Sequence, residues 1–99
     1  MLAQLKDLDQ QVQEAASSFP GEVAGIRYSI GYDWSGDPAV FFRILLSDTA
    51  SRTENLSDVT ARVRGRLSEN FRAAHPDYTR YFYFRSQSEQ DRMKDPEWP

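Results

Sequence analysis

Two carboxylates four residues apart are the first candidates for chemistry, because paired acids can serve acid–base catalysis or bind a divalent metal. Asp33 and Asp37 enclose Trp34 in the stretch Asp-Trp-Ser-Gly-Asp-Pro. Asp, Ser, Gly and Pro are also the residues that a tight turn requires, for steric and hydrogen-bonding reasons. We therefore favour the turn over the catalytic interpretation and predict that Asp33, Trp34 and Asp37 form a turn surface.

The only histidine, His75, offers little further chemistry, and the sequence contains no cysteine. A single imidazole without a second histidine or a motif-placed carboxylate makes neither a metal site nor a catalytic triad. Its place before Pro76 predicts a helix-end residue that interacts with the last carbonyl groups. The sequence also has no phosphate-binding glycine loop and no nucleophile elbow. It predicts a chain that is not an enzyme, with no metal site and no cofactor.

A third group of residues is suited to binding a partner. Three arginines alternate with aromatic and aliphatic residues in segments that are typical of β-strands, where alternate side chains share a face. We call the face that carries them face two and predict it as the interaction face. Its residues are Arg27, Phe41, Arg43, Leu45, Tyr81, Tyr83 and Arg85.

The opposite face of the same strands, face one, is the predicted core. It collects apolar and aromatic residues: Ile26, Tyr28, Ile30, Val40, Phe42, Ile44, Leu46, Phe82 and Phe84. The helices that position this core follow from apolar residues at helical spacing. In the second helix these form one apolar stripe: Leu56, Val59, Val63, Leu67 and Phe71. The predicted elements, in chain order, are a helix over 2–18, strands over 23–32 and 39–46, a helix from about 51 to 75 and a strand over 78–85. This order, α-β-β-α-β, predicts an α+β two-layer sandwich, with a three-stranded sheet and two helices on one face. Strand order stays open.

The second helix carries three further predictions. The Ser51–Glu54 spacing indicates a capping box at its start. Acids near its beginning and bases near its end suit the helix dipole and predict a solvated charged face. These residues are Glu54, Asp58, Arg62 and Arg66. Gly65, four residues after Ala61, predicts a close approach of the first helix at Ala15 and Ala16.

With 99 residues there is room for one domain, spanning 1–99 with a core over about 2–85 and a polar tail over 86–99. The Ser86–Glu89 spacing predicts one further helical turn in that tail. The first residues lack the basic end and apolar stretch of a signal peptide, and no apolar run could span a bilayer. We therefore predict a cytoplasmic location and no membrane partner.

Face two needs a cover, because its apolar surface of roughly 600–900 Å² exceeds the largest patch of a typical monomer, about 300–600 Å². The tail, with Met93 and Trp98, could fold back over it. A second copy of the chain could cover it, sheet to sheet or edge to edge. A different protein or a nucleic acid is the third alternative. Aromatic residues with flanking arginines stack single-stranded bases in several RNA-binding domains, although a net charge of −3 weakens phosphate binding.

Three segments resemble a family of small, uncharacterised bacterial proteins. They are Gly31-Tyr-Asp-Trp-Ser-Gly-Asp-Pro-Ala39, Phe41-Phe-Arg43 and Tyr83-Phe-Arg-Ser-Gln-Ser-Glu-Gln90. Genes of that family stand beside genes for HEPN-domain proteins, a group rich in RNA-cleaving toxins. The resemblance implies a partner role in a toxin–antitoxin or defence cassette and no catalytic residues. It also makes the turn at 34–38 and the segment 85–90 candidates for one shared surface, provided that strands one and three are parallel neighbours.

The sequence therefore predicts a non-enzymatic protein-interaction module that associates through its sheet, as a homo-oligomer or with a different protein. The alternative is a single-stranded RNA-binding module that uses the aromatic and arginine residues of face two.

Overall fold

The protein forms three helices and three strands in the order α-β-β-α-β-α. A computed structural model describes residues 7–99, apart from the side chains at positions 70 and 72–74. The elements are α1 (Leu8–Ser17), β1 (Val23–Tyr32), β2 (Pro38–Leu46), α2 (Thr53–Ala74), β3 (Thr79–Ser86) and α3 (Gln87–Met93). Both the α+β class and the predicted element order are confirmed. Residues 2–6 of the first predicted helix lie outside the described residues.

The sheet has β2 at its centre, antiparallel to β1 and parallel to β3. The hairpin turn joins β1 to β2, and α2 forms the crossover from β2 to β3. Cross-strand pairs sort the side chains onto the two predicted faces. On face two the aligned residues include Arg27, Arg43 and Tyr83. A bulge between Val23 and Gly25 shifts the start of β1, and both Val23 and Ile26 pack on the core.

The hydrophobic core lies between face one and the helices α1 and α2. The helices bury Leu8, Val12, Ala15, Val59, Val63, Leu67 and Phe71, and β2 buries Val40, Phe42, Ile44 and Leu46. The edge strands contribute partly buried residues to the same cluster. One residue of the apolar stripe on α2 departs from this pattern, because Leu56 is 39% exposed. It lies beside the edge strand β3, as described below.

The two predicted capping boxes have opposite outcomes. The box at Ser86 is present: Ser86 Oγ accepts a hydrogen bond from the Glu89 amide at 3.1 Å, and Glu89 reaches back to Ser86. The box at Ser51 is wrong, because Arg52 occupies the N-cap of α2 without a side-chain cap. Ser51 belongs to the preceding turn, where its hydroxyl donates to the Ser47 carbonyl at 2.9 Å.

His75 ends α2 as predicted, but its side chain binds Asp7 and not the last carbonyl groups of the helix. The imidazole Nε2 lies 3.2 Å from the Asp7 carboxylate, at the start of α1. This hydrogen bond lowers the pKa of Asp7. The ring also lies against Phe71, with centroids 5.1 Å apart. His75 therefore ties the end of one helix to the start of the other, a contact between residues 68 positions apart that local spacing does not reveal.

Arg62 does more than complete a charged helix face. Its guanidinium binds Asp58 one turn earlier at 2.9 Å, as the spacing predicted. It also makes two hydrogen bonds to the Glu22 carboxylate, at 2.7 and 3.1 Å, and lies over the Phe19 ring. These hydrogen bonds lower the pKa of Glu22. Arg62 thus joins α2 to the turn that leads into β1.

The predicted close approach at Gly65 is wrong. A methyl group built at Gly65 would meet no atom within 4 Å, so this position faces open space instead of α1. Gly65 is exposed within a long helix, where glycine is less favourable than alanine because it loses more backbone entropy on folding.

Replacing Gly65 with alanine should therefore stabilise the protein by about 0.5–1 kcal/mol. For a domain of this size, thermal unfolding should show a rise in Tm of about 2–8 °C. Gly36→Ala is the matched control: it also has open space, but its φ of +85° is strained for alanine, so its Tm should fall. A lower Tm for Gly65→Ala would contradict the open environment of this position.

Candidate interaction surface

The hairpin turn is built around one carboxylate. Asp33 Oδ1 accepts hydrogen bonds from the amides of Ser35 and Asp37, at 2.9 and 3.0 Å. Asp33 Oδ2 accepts the hydroxyl of Tyr81, on β3, at 2.8 Å. Gly36 has a φ of +85°, in the left-handed region that this turn requires. Both oxygens of Asp33 therefore hold the turn, as the turn interpretation proposes.

An aromatic stack extends from this turn across face two. The rings of Phe41 and Tyr81 are stacked, with centroids 5.3 Å apart and planes 13° apart. Trp34 lies tilted against the same Tyr81 ring at 5.4 Å, yet it is 82% exposed. The turn surface and the upper part of face two thus form one continuous aromatic area.

Two tyrosine hydroxyls are bound to carboxylates, and this changes their acidity. The hydrogen bond to Asp33 raises the pKa of Tyr81 from 10.0 to about 12, and the same bond lowers the pKa of Asp33. Burial, with a hydrogen bond to Asp9, raises the pKa of Tyr28 to about 12. A raised pKa means that the folded state holds its proton more tightly than the unfolded state does.

Alkaline titration of the folded protein should therefore show a late tyrosinate component from Tyr28 and Tyr81, at a pKa of about 12. Tyr81→Phe should remove one part of it and Tyr28→Phe the other. The stability from the bond between Tyr81 and Asp33 should be complete below pH 10 and lost as the pH rises towards 12. At acid pH the same stability should be lost as the pH falls through the lowered pKa of Asp33, because the carboxylate is then protonated. If the tyrosinate absorbance that appears at a pKa of about 12 is unchanged in Tyr81→Phe, the assignment of part of it to Tyr81 is wrong.

The lower part of face two is covered by the last six residues, which we call the strap (residues 94–99). Arg27 Nη1 donates to the Pro96 carbonyl at 2.7 Å. Arg43 lies 3.6 Å from the Glu97 carboxylate, and Arg85 lies 3.7 Å from that of Asp95.

The end of the strap adds two packing contacts. Arg85 lies over the Trp98 ring, 4.2 Å from its centroid. Pro99 lies so close to Gly25 that a methyl group at Gly25 would be 2.9 Å from its Cβ. Leu45, beneath this region, is only 6% exposed. Of the covers predicted for face two, the tail is thus present over Arg27, Leu45 and Arg85, while Tyr83 remains 45% exposed.

The turn and the segment after β3 do not form one shared surface. β1 and β3 are not neighbours, since β2 lies between them. Thr79 pairs with Ala39, beside the turn, whereas Ser86 pairs with Leu46 at the opposite end of the sheet. There the first residues of α3 bind the end of β2, as Ser88 donates its amide to Asp48 at 2.9 Å.

A groove of about 880 Å³ runs between α2, β3 and α3. Its apolar lining includes Leu56, Phe82, Phe84, Met93 and Trp98. Leu56 is 39% exposed and Met93 58% exposed. We call it the edge groove, because β3 is an edge strand with β2 as its only partner among residues 7–99. Sequence reasoning missed this groove, although the apolar stripe of α2 included Leu56.

Within residues 7–99, no three His, Cys, Asp or Glu side chains are grouped as a metal site would require. No helix of the same residues is both long and apolar enough to cross a membrane.

Comparison with protein-family models finds no match, and comparison with curated proteins finds none either. The solved structures that are similar to this chain include two variants of one domain. A Cys-to-Ser variant of the MamM CTD matches with a TM-score of 0.51 and 13% identity, over 86% of this chain and 99% of that one. An Asp-to-His variant of the same domain, in a copper form, matches with a TM-score of 0.51 and 14% identity, over 85% and 99%. At such identities the likeness shows the fold alone.

Proposed function

We propose that this chain is a non-enzymatic protein-interaction module that self-associates through the outer edge of β3. The observation that carries this proposal is an edge strand without a bulge, beside a groove with exposed apolar residues. Such an edge presents a row of N–H and C=O groups that can pair with another strand. Natural edges are commonly protected by proline, lysine, bulges or a covering element.

The two edges of this sheet differ in that protection. β1 contains a bulge at Val23–Gly25 and two glycines, and its Tyr28 hydroxyl is bound to Asp9 on α1. β3, over 79–86, contains no proline, glycine or lysine and runs for eight residues without a bulge; its charged residues are Arg80 and Arg85, near its two ends. A strand of this length and aromatic content favours pairing. β3 is therefore the edge that we expect to be extended.

The side chains of β3 suit pairing with a second copy. An antiparallel pairing around a two-fold axis at Phe82 would place Phe82 opposite Phe82 of the second copy. It would also place Tyr81 opposite Tyr83 of the second copy, twice, on face two. Aromatic residues directly opposite each other stabilise antiparallel strands. The same register would extend the sheet from three strands to six.

The edge groove adds apolar surface to this contact. Leu56 and Met93 lie on either side of β3 and are substantially exposed. Their burial would contribute roughly 25 cal/mol per Å² of apolar surface removed from water.

Light-scattering mass measured on a size-exclusion column, over a hundredfold concentration range, tests self-association. We expect the mass of two chains at high concentration and a shift towards one chain on dilution. A mass of one chain at every concentration would refute self-association.

The non-enzymatic assignment is supported by how the candidate acids are used. Both carboxylate oxygens of Asp33 already accept hydrogen bonds, Oδ1 from two amides of the turn and Oδ2 from the Tyr81 hydroxyl. Single-stranded RNA binding on face two stays a prediction. For RNA to bind there, the strap would have to leave the arginines, and the Tyr81 ring would have to separate from the Phe41 ring on which it is stacked.

The finer proposal, a partner subunit of a bacterial toxin–antitoxin or defence cassette, is supported only by the resemblance of the segments around Trp34 and after Tyr83. Co-purification with the product of a neighbouring HEPN-domain gene tests it. Failure of the two proteins to associate when co-expressed would remove this proposal and leave the self-association proposal intact.

A further inference from the structure

Three arginines from three different strands are gathered on face two. Arg27 and Arg43 are directly opposite each other in the pairing of β1 with β2. Arg85, on β3, is opposite Leu45, the second residue after Arg43 on β2. We call these three residues the arginine row. Like charges directly opposite each other destabilise a sheet, and anionic groups nearby offset that repulsion.

All the nearby anionic groups come from the strap. Among residues 7–99, the carboxylates within 4 Å of the arginine row are those of Asp95 and Glu97. The body of the domain therefore provides three positive charges, and the last six residues provide acids that meet two of them, Arg43 and Arg85.

Face two contacts uncharged groups of the strap as well as its acids. Arg27 binds the backbone carbonyl of Pro96, which any peptide could offer. Arg85 stacks on the indole of Trp98, and guanidinium groups prefer tryptophan among the aromatic residues. Gly25 leaves room for Pro99, since a methyl group there would come within 2.9 Å of the proline. Face two thus contacts acids, a carbonyl, an indole and a proline of the strap, through the three arginines and Gly25.

The ion pairs contribute little to holding the strap, which depends on the Arg27 hydrogen bond to Pro96 and on the stacking of Trp98. The two ion pairs are 3.6 and 3.7 Å long, beyond the 2.7–2.9 Å or so of a charge-assisted hydrogen bond. The Glu97 side chain is 72% exposed, and exposed ion pairs contribute little to stability. The strap also begins at Lys94, whose φ of +52° is uncommon for a residue other than glycine. The strap can therefore leave face two without unfolding the core, which lies on the other face.

We propose that the arginine row is a binding site for a short acidic peptide that contains tryptophan. The strap is its resident ligand, and another segment of the same chemistry replaces it. This site goes beyond self-association at β3, because capture of a peptide requires no second copy and no pairing of the β3 backbone.

The test uses the full chain and a fluorescein-labelled peptide with the sequence of residues 94–99, Lys-Asp-Pro-Glu-Trp-Pro. In the released variant, Asp95→Asn, Glu97→Gln and Trp98→Ala are combined, so that the strap no longer competes. Fluorescence anisotropy should show binding at least tenfold tighter to the released variant than to the unaltered chain. Adding Arg43→Gln and Arg85→Gln should lower that affinity at least tenfold. The matched control, Arg66→Gln on the exposed side of α2, should leave it unchanged.

A second measurement uses the unaltered chain, in case the released variant folds poorly. Excess unlabelled peptide should shift the NMR indole signal of Trp98 by displacing it, while the signal of Trp34 stays in place. Equal peptide affinity for the unaltered and released chains would overturn the proposal, as would indifference to the arginine substitutions. Binding of a single-stranded RNA oligonucleotide in place of the peptide would overturn it too. The mass measurement on β3 is independent of each of these outcomes.

Discussion

Replacing Tyr83 with lysine should convert the self-associated protein into single chains. Tyr83 is 45% exposed on β3, and in the proposed register it lies opposite Tyr81 of the second copy. The substitution removes two such aromatic pairs per dimer, worth about 0.5–1.5 kcal/mol each. It also places a desolvated ammonium group at each pair. A loss of about 3 kcal/mol weakens association roughly a hundredfold. Sedimentation or light scattering across concentrations measures the shift.

Tyr32→Lys is the matched control for this experiment. Tyr32 is 57% exposed, at the end of β1 beside the turn, away from β3. The same chemical change there should leave the dimer mass unaltered. If Tyr32→Lys dissociates the protein and Tyr83→Lys does not, the interface lies at the end of β1 and the β3 proposal is wrong.

Replacing Phe42 with alanine should cost about 3–5 kcal/mol of the free energy of unfolding. Phe42 is fully buried on face one. Its ring is stacked on Phe82, with centroids 5.3 Å apart, and meets Phe71 edge-on at 6.0 Å. A cavity at the centre of the sandwich would remove contacts with α2 and β3 together. Since such domains are stable by only about 5–15 kcal/mol, urea denaturation should show a much lower midpoint.

The neighbouring Phe41→Ala is the control, because it removes the same side chain from the other face of the same strand. Phe41 is partly exposed and stacks on Tyr81 alone among the described rings. We expect a loss of about 1–2 kcal/mol. Equal losses for the two variants would mean that face two holds a second core, contrary to the burial seen here.

The local patterns predicted the fold well. Alternation separated Phe42 from Phe41, and the 3.6-residue period placed Val63 and Phe71 in the core, since both patterns depend only on neighbouring residues. The strand order was not predictable, because a crossover of this length can return β3 to either side of the hairpin. Because β3 lies beside β2 and not beside β1, the turn contacts Tyr81 and not the segment after β3.

The sequence predicted which residues share face two, but not what they contact. Arg27, Arg43 and Arg85 were correctly placed on one face, because strand alternation fixes this. Their pairing with the strap depends on how the chain turns after α3, where Lys94 takes a left-handed conformation. Contacts such as those of His75 with Asp7 and of Arg62 with Glu22 join residues 68 and 40 positions apart. Short-range spacing carries no information about them.

The parallel pairing of β2 with β3 has a consequence for the order of folding. Thr79 pairs with Ala39, 40 positions earlier, so β3 can join only after a long loop has closed. Closing 40 residues costs about 3 kcal/mol of chain entropy, against about 1.4 kcal/mol for the turn over 33–37. We therefore expect the hairpin to form first and β3 to arrive last, once α2 has shortened the distance to be closed. The strand proposed for assembly would then be the last to form, and only completely folded chains would associate.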